Sequence, residues 1–355
     1  MSVGPMIAFE RPAIKLRSRS RLALSRADGQ DRDPAMKSPS RLKTPPAHEI
    51  LVPIDFSSAS RATLLRAVGL AKALRGQLTL LHVSEPPTYG GSMSELPGSL
   101  PPQIPIAPEK LARRLQVLAR RSVPAALAGE VLVGEGVAGE TIVAVARQRR
   151  CRLIISATHG YSGMKRMLLG STAEYIVRHS PCPVLTIRRP NLGKSGGTGR
   201  IHSILSPVDL SAPSKEASGY ATDLAVRLKA RLTLLNVVPP IDSTGSTERT
   251  AASAARQLEK LAAKVRPKVP QVKFRIAIGR NPAAAIVADD TASAADLIVI
   301  ATHGRGGLGR ILIGSTAEGV IREATCPVLI VRRPKPAPLG WYNPLLFFPV
   351  APVMP

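Results

Sequence analysis

The stretch ATHGYSGMKRMLLGSTAEYIVRHSPCPV occupies Ala157–Val184, and ATHGRGGLGRILIGSTAEGVIREATCPV occupies Ala301–Val328. They align without a gap at a separation of 144 positions, and 16 of their 28 residues are identical. In each, an apolar run ends in Thr-His-Gly. A second glycine follows ten residues after the first (Gly160 and Gly170, Gly304 and Gly314). Ser-Thr then opens a segment with apolar residues at helical spacing. Strand, glycine-bounded loop and helix are written twice.

The flanks repeat as well. HEILVPIDFS (48–57) matches HSILSPVDLS (202–211), and QLTLLHV (77–83) matches RLTLLNV (231–237). The short apolar runs read as buried strands. Helices are expected over 58–76, with Gly76 as the stop, and over 109–121, 138–150 and 170–180. The offset falls from 154 to 144 along the chain, so the first copy carries ten extra residues, placed in its long Gly/Pro/Ser loop from Ser84 to about Pro108. Alternating strands and helices predict a parallel sheet with helices on both faces. In such sheets ligands sit beyond the C-terminal strand ends, at the switch point of the strand order. That singles out Asp55 and Asp209 after the first strand of each copy, and the Thr-His-Gly loops after the fourth.

Size and charge set the limits. The 355 residues suffice for two domains, and 44% hydrophobic residues allow two buried cores. No apolar run approaches 18 residues, and no secretory signal is read, so the expected location is cytoplasmic and no membrane partner is expected. Cys151, Cys182 and Cys326 form no C-x-x-C pair and read as free thiols. The net charge of +25 favours polyanions, but aromatics make up only 3% of residues and no zinc-finger spacing occurs. Nucleic acid is therefore not the expected partner.

The repeated loop suits phosphate. Glycine lets a ligand approach the backbone, and a helix N-terminus presents N–H groups and a positive dipole end. Ser171-x-x-Glu174 and Ser315-x-x-Glu318 also fit a capping box, which needs no ligand. Asp55 and Asp209 read equally as nucleoside contacts or as caps of the next helix. His159 and His303 read as backbone-bonded. Lys165, Arg166 and Arg310 read as solvated charges. Gly304-x-Gly306-x-x-Gly309 spells a dinucleotide fingerprint, but the first copy lacks it. The GKS at Gly193–Ser195 lacks the leading glycine of a P-loop. No nucleophile elbow, metal-ligand spacing or paired carboxylates appear, so a fast enzyme is not expected.

The strand ILVPIDFS, the block running from ATHG through LLGSTAEYIVRHSPCPVLTIRR, and their second copies resemble the universal stress protein family of the UspA type. The resemblance covers roughly 49–190 and 201–333. It implies two tandem doubly wound α/β folds of five parallel strands in the Rossmann-like order 3-2-1-4-5, joined as an intrachain pseudo-dimer through Val184–Ile187 and Val328–Val331. It also implies a pattern G-x-x-G-x9-G-[ST] for ATP, in which Ala157 and Ala301 replace the first glycine. The residues it assigns to the nucleotide are Asp55, Val83, Gly160, Gly163, Gly170, Ser171 and Thr172. In the second copy they are Asp209, Val237, Gly304, Gly307, Gly314, Ser315 and Thr316. Mg²⁺ would accompany the ATP.

The expected organisation is a disordered basic arm (1–47), with Met36 as a candidate start, and two domains (48–190 and 201–333) around a Gly-rich linker (191–200). A Pro-rich apolar tail (334–355) follows, whose prolines exclude a helix or central strand. The expected function is a stress-response protein that binds adenine nucleotide as a switch, either as a monomeric pseudo-dimer or as a homodimer, and acts on an unidentified protein partner. The rival readings are a ligand-free interaction module and a DNA-binding basic protein.

Overall fold

A computed structural model describes residues 49–85, 107–158, 169–188, 200–240, 246–302, 313–332 and 347–349. The basic arm, all of the linker but Arg200, and the centres of both glycine loops lie outside these residues. The first half runs β1 (Glu49–Pro53), α1 (Ser58–Leu74), β2 (Gln77–Ser84), α2 (Pro108–Ser122), β3 (Ala128–Glu135), α3 (Ala138–Gln148), β4 (Leu153–Ala157), α4 (Ser171–His179) and β5 (Val184–Ile187). The second repeats the order: β6 (Ser203–Pro207), α5 (Ala212–Leu228), β7 (Arg231–Val238), α6 (Ser246–Val265), β8 (Val272–Ile278), α7 (Pro282–Ser293), β9 (Leu297–Ala301), α8 (Ser315–Glu323) and β10 (Val328–Val331).

Strands buried on both faces need apolar side chains at every position, not at alternate ones. In β1, Ile50, Leu51 and Val52 are all fully buried. The order β3-β2-β1-β4-β5 and its counterpart β8-β7-β6-β9-β10 are both 3-2-1-4-5. Within each half every described pairing is parallel.

The halves join through β5 and β10, which pair antiparallel, so a single sheet of eleven strands results. Leu185 faces Leu329, its own equivalent in the repeat, while Val184 faces Ile330 and Thr186 faces Val328. A pseudo-twofold axis therefore passes through the Leu185–Leu329 pair, as an isologous contact requires. The Thr186 hydroxyl donates to the Val328 carbonyl (3.2 Å), and the Arg188 guanidinium to the Ala324 carbonyl (3.2 Å). Joining the two edges satisfies backbone groups that would otherwise invite association.

Two cores form, but not one per half. One lies on the sheet face covered by α1, α2, α5 and α6, and the other on the face covered by α3, α4, α7 and α8. Each contains residues from both halves. All three cysteines are free and buried. Burial pushes the Cys182 thiol up to about 11 and raises the other two as well, which suppresses the reactive thiolate.

Two local expectations need correction. α1 ends with Arg75, not Gly76, in the left-handed region (φ 55°), and Gly76 N–H closes the turn on the Ala71 carbonyl. The capping boxes do not form. Gly170 and Gly314 are the N-caps, Ser171 and Ser315 are already the first helical residues, and no side chain caps either helix. A serine inside the first turn cannot fold back on the N–H groups as a preceding residue does. From the tail, Phe347–Pro349 forms an edge strand, β11, antiparallel to β3. That placement suits a segment ending in proline.

Candidate functional site

Three pieces of each half come together at the C-terminal ends of that half's strands. The first is the tip of β1 or β6. Asp55 Oδ1 accepts the Ser57 N–H at 2.9 Å, and Asp209 Oδ1 accepts the Ser211 N–H at 3.0 Å and the Ser211 hydroxyl at 2.6 Å. Ser57 and Ser211, not the aspartates, are the N-caps of α1 and α5. Each aspartate instead sets the turn that delivers the cap. Burial pushes the Asp55 carboxyl up, but hydrogen bonds from Ser57 and Ser60 outweigh it and hold the group below its ordinary value. The residue after each aspartate is bulky and left-handed: Phe56 at φ 61° and Leu210 at φ 70°. Such conformations cost about 1–3 kcal/mol and persist where the surroundings over-determine them. The repeat keeps this strain at both tips.

The second piece is the helix after β4 or β9. Gly170 N–H donates to the Thr158 carbonyl (3.0 Å), and Gly314 N–H to the Thr302 carbonyl (2.8 Å). These bonds fix the N-termini of α4 and α8 against the strand ends. Ser171 and Ser315 are exposed there, with Thr172 and Thr316 half-buried behind them. The first N–H groups of a helix have no partner within it, and the dipole adds a positive field. Gly160, Gly163, Gly304 and Gly307 lie outside the described residues. Ala157 and Ala301 are the last residues of β4 and β9.

The third piece is the end of β2 or β7, where the halves diverge. Val83 and Val237 are half-buried in equivalent places. Next to them, His82 Nδ1 donates to the Ile54 carbonyl (2.7 Å), and Asn236 Nδ2 donates to the Val208 carbonyl (2.6 Å). In the first half the Phe56 and His82 rings lie 4.7 Å apart, and the Arg114 guanidinium stands 4.2 Å above the Phe56 ring. In the second half a cavity of about 340 Å³ opens, lined by Leu210, Val237, Pro239, Arg249, Ala254 and Gln257 among others. Sequence reasoning pointed to the aspartates and the helix N-termini, and the family resemblance to the valines, but neither pointed to this cluster or this cavity. The available signal was the apolar phase of α2 and α6, which turns Arg114 and Gln257 toward the strand tips.

Burial lowers the His82 pKa, against the raising effects of the Ile54 carbonyl and Asp55, and Arg114 lowers it further. The unfolded chain then takes up a proton that the native ring resists. Stability falls as pH drops below the ordinary histidine value of about 6.5. His82→Asn, which installs the residue of the second half, is expected to flatten the urea-midpoint profile between about pH 7 and 5. An unchanged slope would show that His82 does not control it.

Among the described residues, no cluster of three or more His, Cys, Asp or Glu could hold a metal, and no helix is long and apolar enough to cross a membrane.

The tandem α/β halves, each with a strand-tip aspartate and a helix N-terminus at the C-terminal ends of its own strands, define a doubly wound α/β class of fold. The profile of the Universal stress protein family matches residues 47–188 and again 200–332, and the chain belongs to that family. It is 28% identical over 297 residues to a universal stress protein of Mycolicibacterium smegmatis, covering 80% of this chain and 96% of that one. To a universal stress protein of Mycobacterium tuberculosis it is 26% identical over 296 residues, covering 80% and 96%. The crystal structure of a universal stress protein from Archaeoglobus fulgidus shares the fold, with a TM-score of 0.60 at 22% identity over 81% of this chain and 97% of that one.

Proposed function

We propose that this universal stress protein binds adenine nucleotide, ATP with its Mg²⁺, at the C-terminal strand ends within its halves, and that binding switches its conformation or its choice of protein partner. The observation that carries the reading is the uncapped helix N-terminus, held by Gly170 or Gly314 on a strand-end carbonyl beside a strand-tip aspartate. The helix end receives phosphate. The aspartate receives hydroxyl or amino donors of the nucleoside. A Mg²⁺ carried in with the nucleotide would neutralise its phosphates, with water rather than this chain supplying most of its ligands. Nothing in the described site positions a base against water, so occupancy, rather than rapid turnover, is the signal.

Replacing both Ser171 and Ser315 by aspartate tests this. A carboxylate at the start of a helix favours the fold by about 0.3–1 kcal/mol. It also occupies and repels the phosphate position. Calorimetric titration of ATP-Mg²⁺ is expected to show affinity at least about tenfold weaker than wild type, equivalent to about 1.4 kcal/mol, with thermal stability kept or raised. Equal affinity in the variant would remove phosphate from the helix ends. A wild-type chain that neither binds ATP nor releases nucleotide on denaturation would end the reading.

A further inference from the structure

We propose that the two halves are unequal: the second carries an open pocket for the base of the nucleotide, and the first has the same place plugged by its own side chains. This rests on the nucleotide reading above and assigns it to one half.

Strand register sets the equivalence. His82 lies beside Val133, and Asn236 beside Ile276, at equivalent levels in the two halves of the sheet. On the covering helices Leu115 and Leu258 are both fully buried. Counting back from them, Arg114 corresponds to Gln257, and Leu111 to Ala254. Phe56 and Leu210 each follow the strand-tip aspartate with positive φ. At all four positions the first half has the larger side chain: Phe56 for Leu210, His82 for Asn236, Leu111 for Ala254, Arg114 for Gln257.

The consequences are physical. Phe56 is 6% exposed and Leu111 is 4% exposed, and the Phe56 ring is in contact with both the Arg114 guanidinium and the His82 ring. Cation–π and ring contacts of this kind hold a plug closed without any ligand. Where the smaller residues stand, the cavity of about 340 Å³ falls within the range of small-molecule sites. Its floor is the apolar end of β7 with Leu210. Arg249, Thr250, Ser253 and Gln257 line it from α6, and among the described residues no acidic one does. Donors over an apolar floor suit a planar heterocycle with acceptor atoms on its edge. The cavity lies beyond β7, while the α8 N-terminus follows β9, and β6 runs between them. Two strand spacings, about 10 Å, separate base pocket from phosphate site, a span that a nucleotide bridges across Asp209.

The experiment uses the full chain and ATP-Mg²⁺. Calorimetry is expected to give one ATP per chain. Ala254→Leu with Gln257→Arg, which builds the first half's residues into the second, is expected to weaken binding at least about tenfold. An azido-adenine analogue of ATP, cross-linked to the unaltered chain and mapped by peptide mass, is expected to label residues of β7 or α6. The label needs no variant to fold. Two ATP per chain, or label on the first-half segments around His82 and Arg114, overturns the inequality while nucleotide binding stands. No binding and no ATP-protectable label overturns the nucleotide reading itself, and this proposal with it.

Discussion

Leu329→Asp is expected to cost more than about 5 kcal/mol and to unfold both halves together. Leu329 is 3% exposed and Leu185 is 5% exposed at the centre of the seam. Truncating a buried leucine to alanine alone costs about 2–5 kcal/mol. A carboxylate there adds the penalty of a buried charge facing an apolar partner. Domain stabilities are about 5–15 kcal/mol, so the loss takes a large share. The loss is shared because both cores cross the seam, with Leu185 and Leu329 in one of them and Val184 and Val328 in the other. Urea denaturation followed by circular dichroism is expected to show a single transition in the wild type and a large fall in midpoint in the variant. Two wild-type transitions, with only one shifted in the variant, would mean that the halves fold independently despite their common sheet.

The second large effect lies where α3 crosses α4. A Cβ on Gly139 would stand 2.8 Å from Tyr175 Cβ, closer than packed carbons approach. The repeat solves the same contact in reverse. Gly139 corresponds to Ala283, and Tyr175 to Gly319, whose own added Cβ would stand 2.7 Å from Ala283 Cβ. Each half therefore keeps one glycine at the crossing, on opposite helices. Gly139→Ala is expected to destabilise by about 1–3 kcal/mol, because the overpacking strain exceeds the gain in helix propensity, at most about 1 kcal/mol. In a Tyr175→Gly background the same alanine is expected to cost nothing, since the pair then copies the second half. A double-mutant cycle in urea measures the coupling. Additive effects would show that the helices simply move apart.

These two contacts mark the boundary of what a linear reading reaches. The duplication, the strand–helix order, the strand-tip aspartates and the Gly-Ser-Thr helix starts were all legible, because each is a local pattern with a fixed period or spacing. The seam strands came from the family resemblance, and the structure places them as expected, with Leu185 against its own equivalent. Helix ends were less legible. Serine preferences pointed to Ser171 and Ser315 as caps, but the hydrogen bonds that tie Gly170 and Gly314 to strand-end carbonyls decide where those helices begin.

Local pattern along the chain is enough to show two copies of one α/β plan and the residues that stand at the ends of their strands. Aligned copies look alike because identity is scored one position at a time. Three-dimensional packing is what makes the cores run across the two halves, lets Gly139 and Gly319 relieve the same crossing from opposite sides, and sets Arg114 over Phe56 where Gln257 leaves a cavity. The physical reason is that packing depends on the summed volume of residues distant in the chain. Two halves with the same backbone can therefore fill the same place with different side chains, or leave it open.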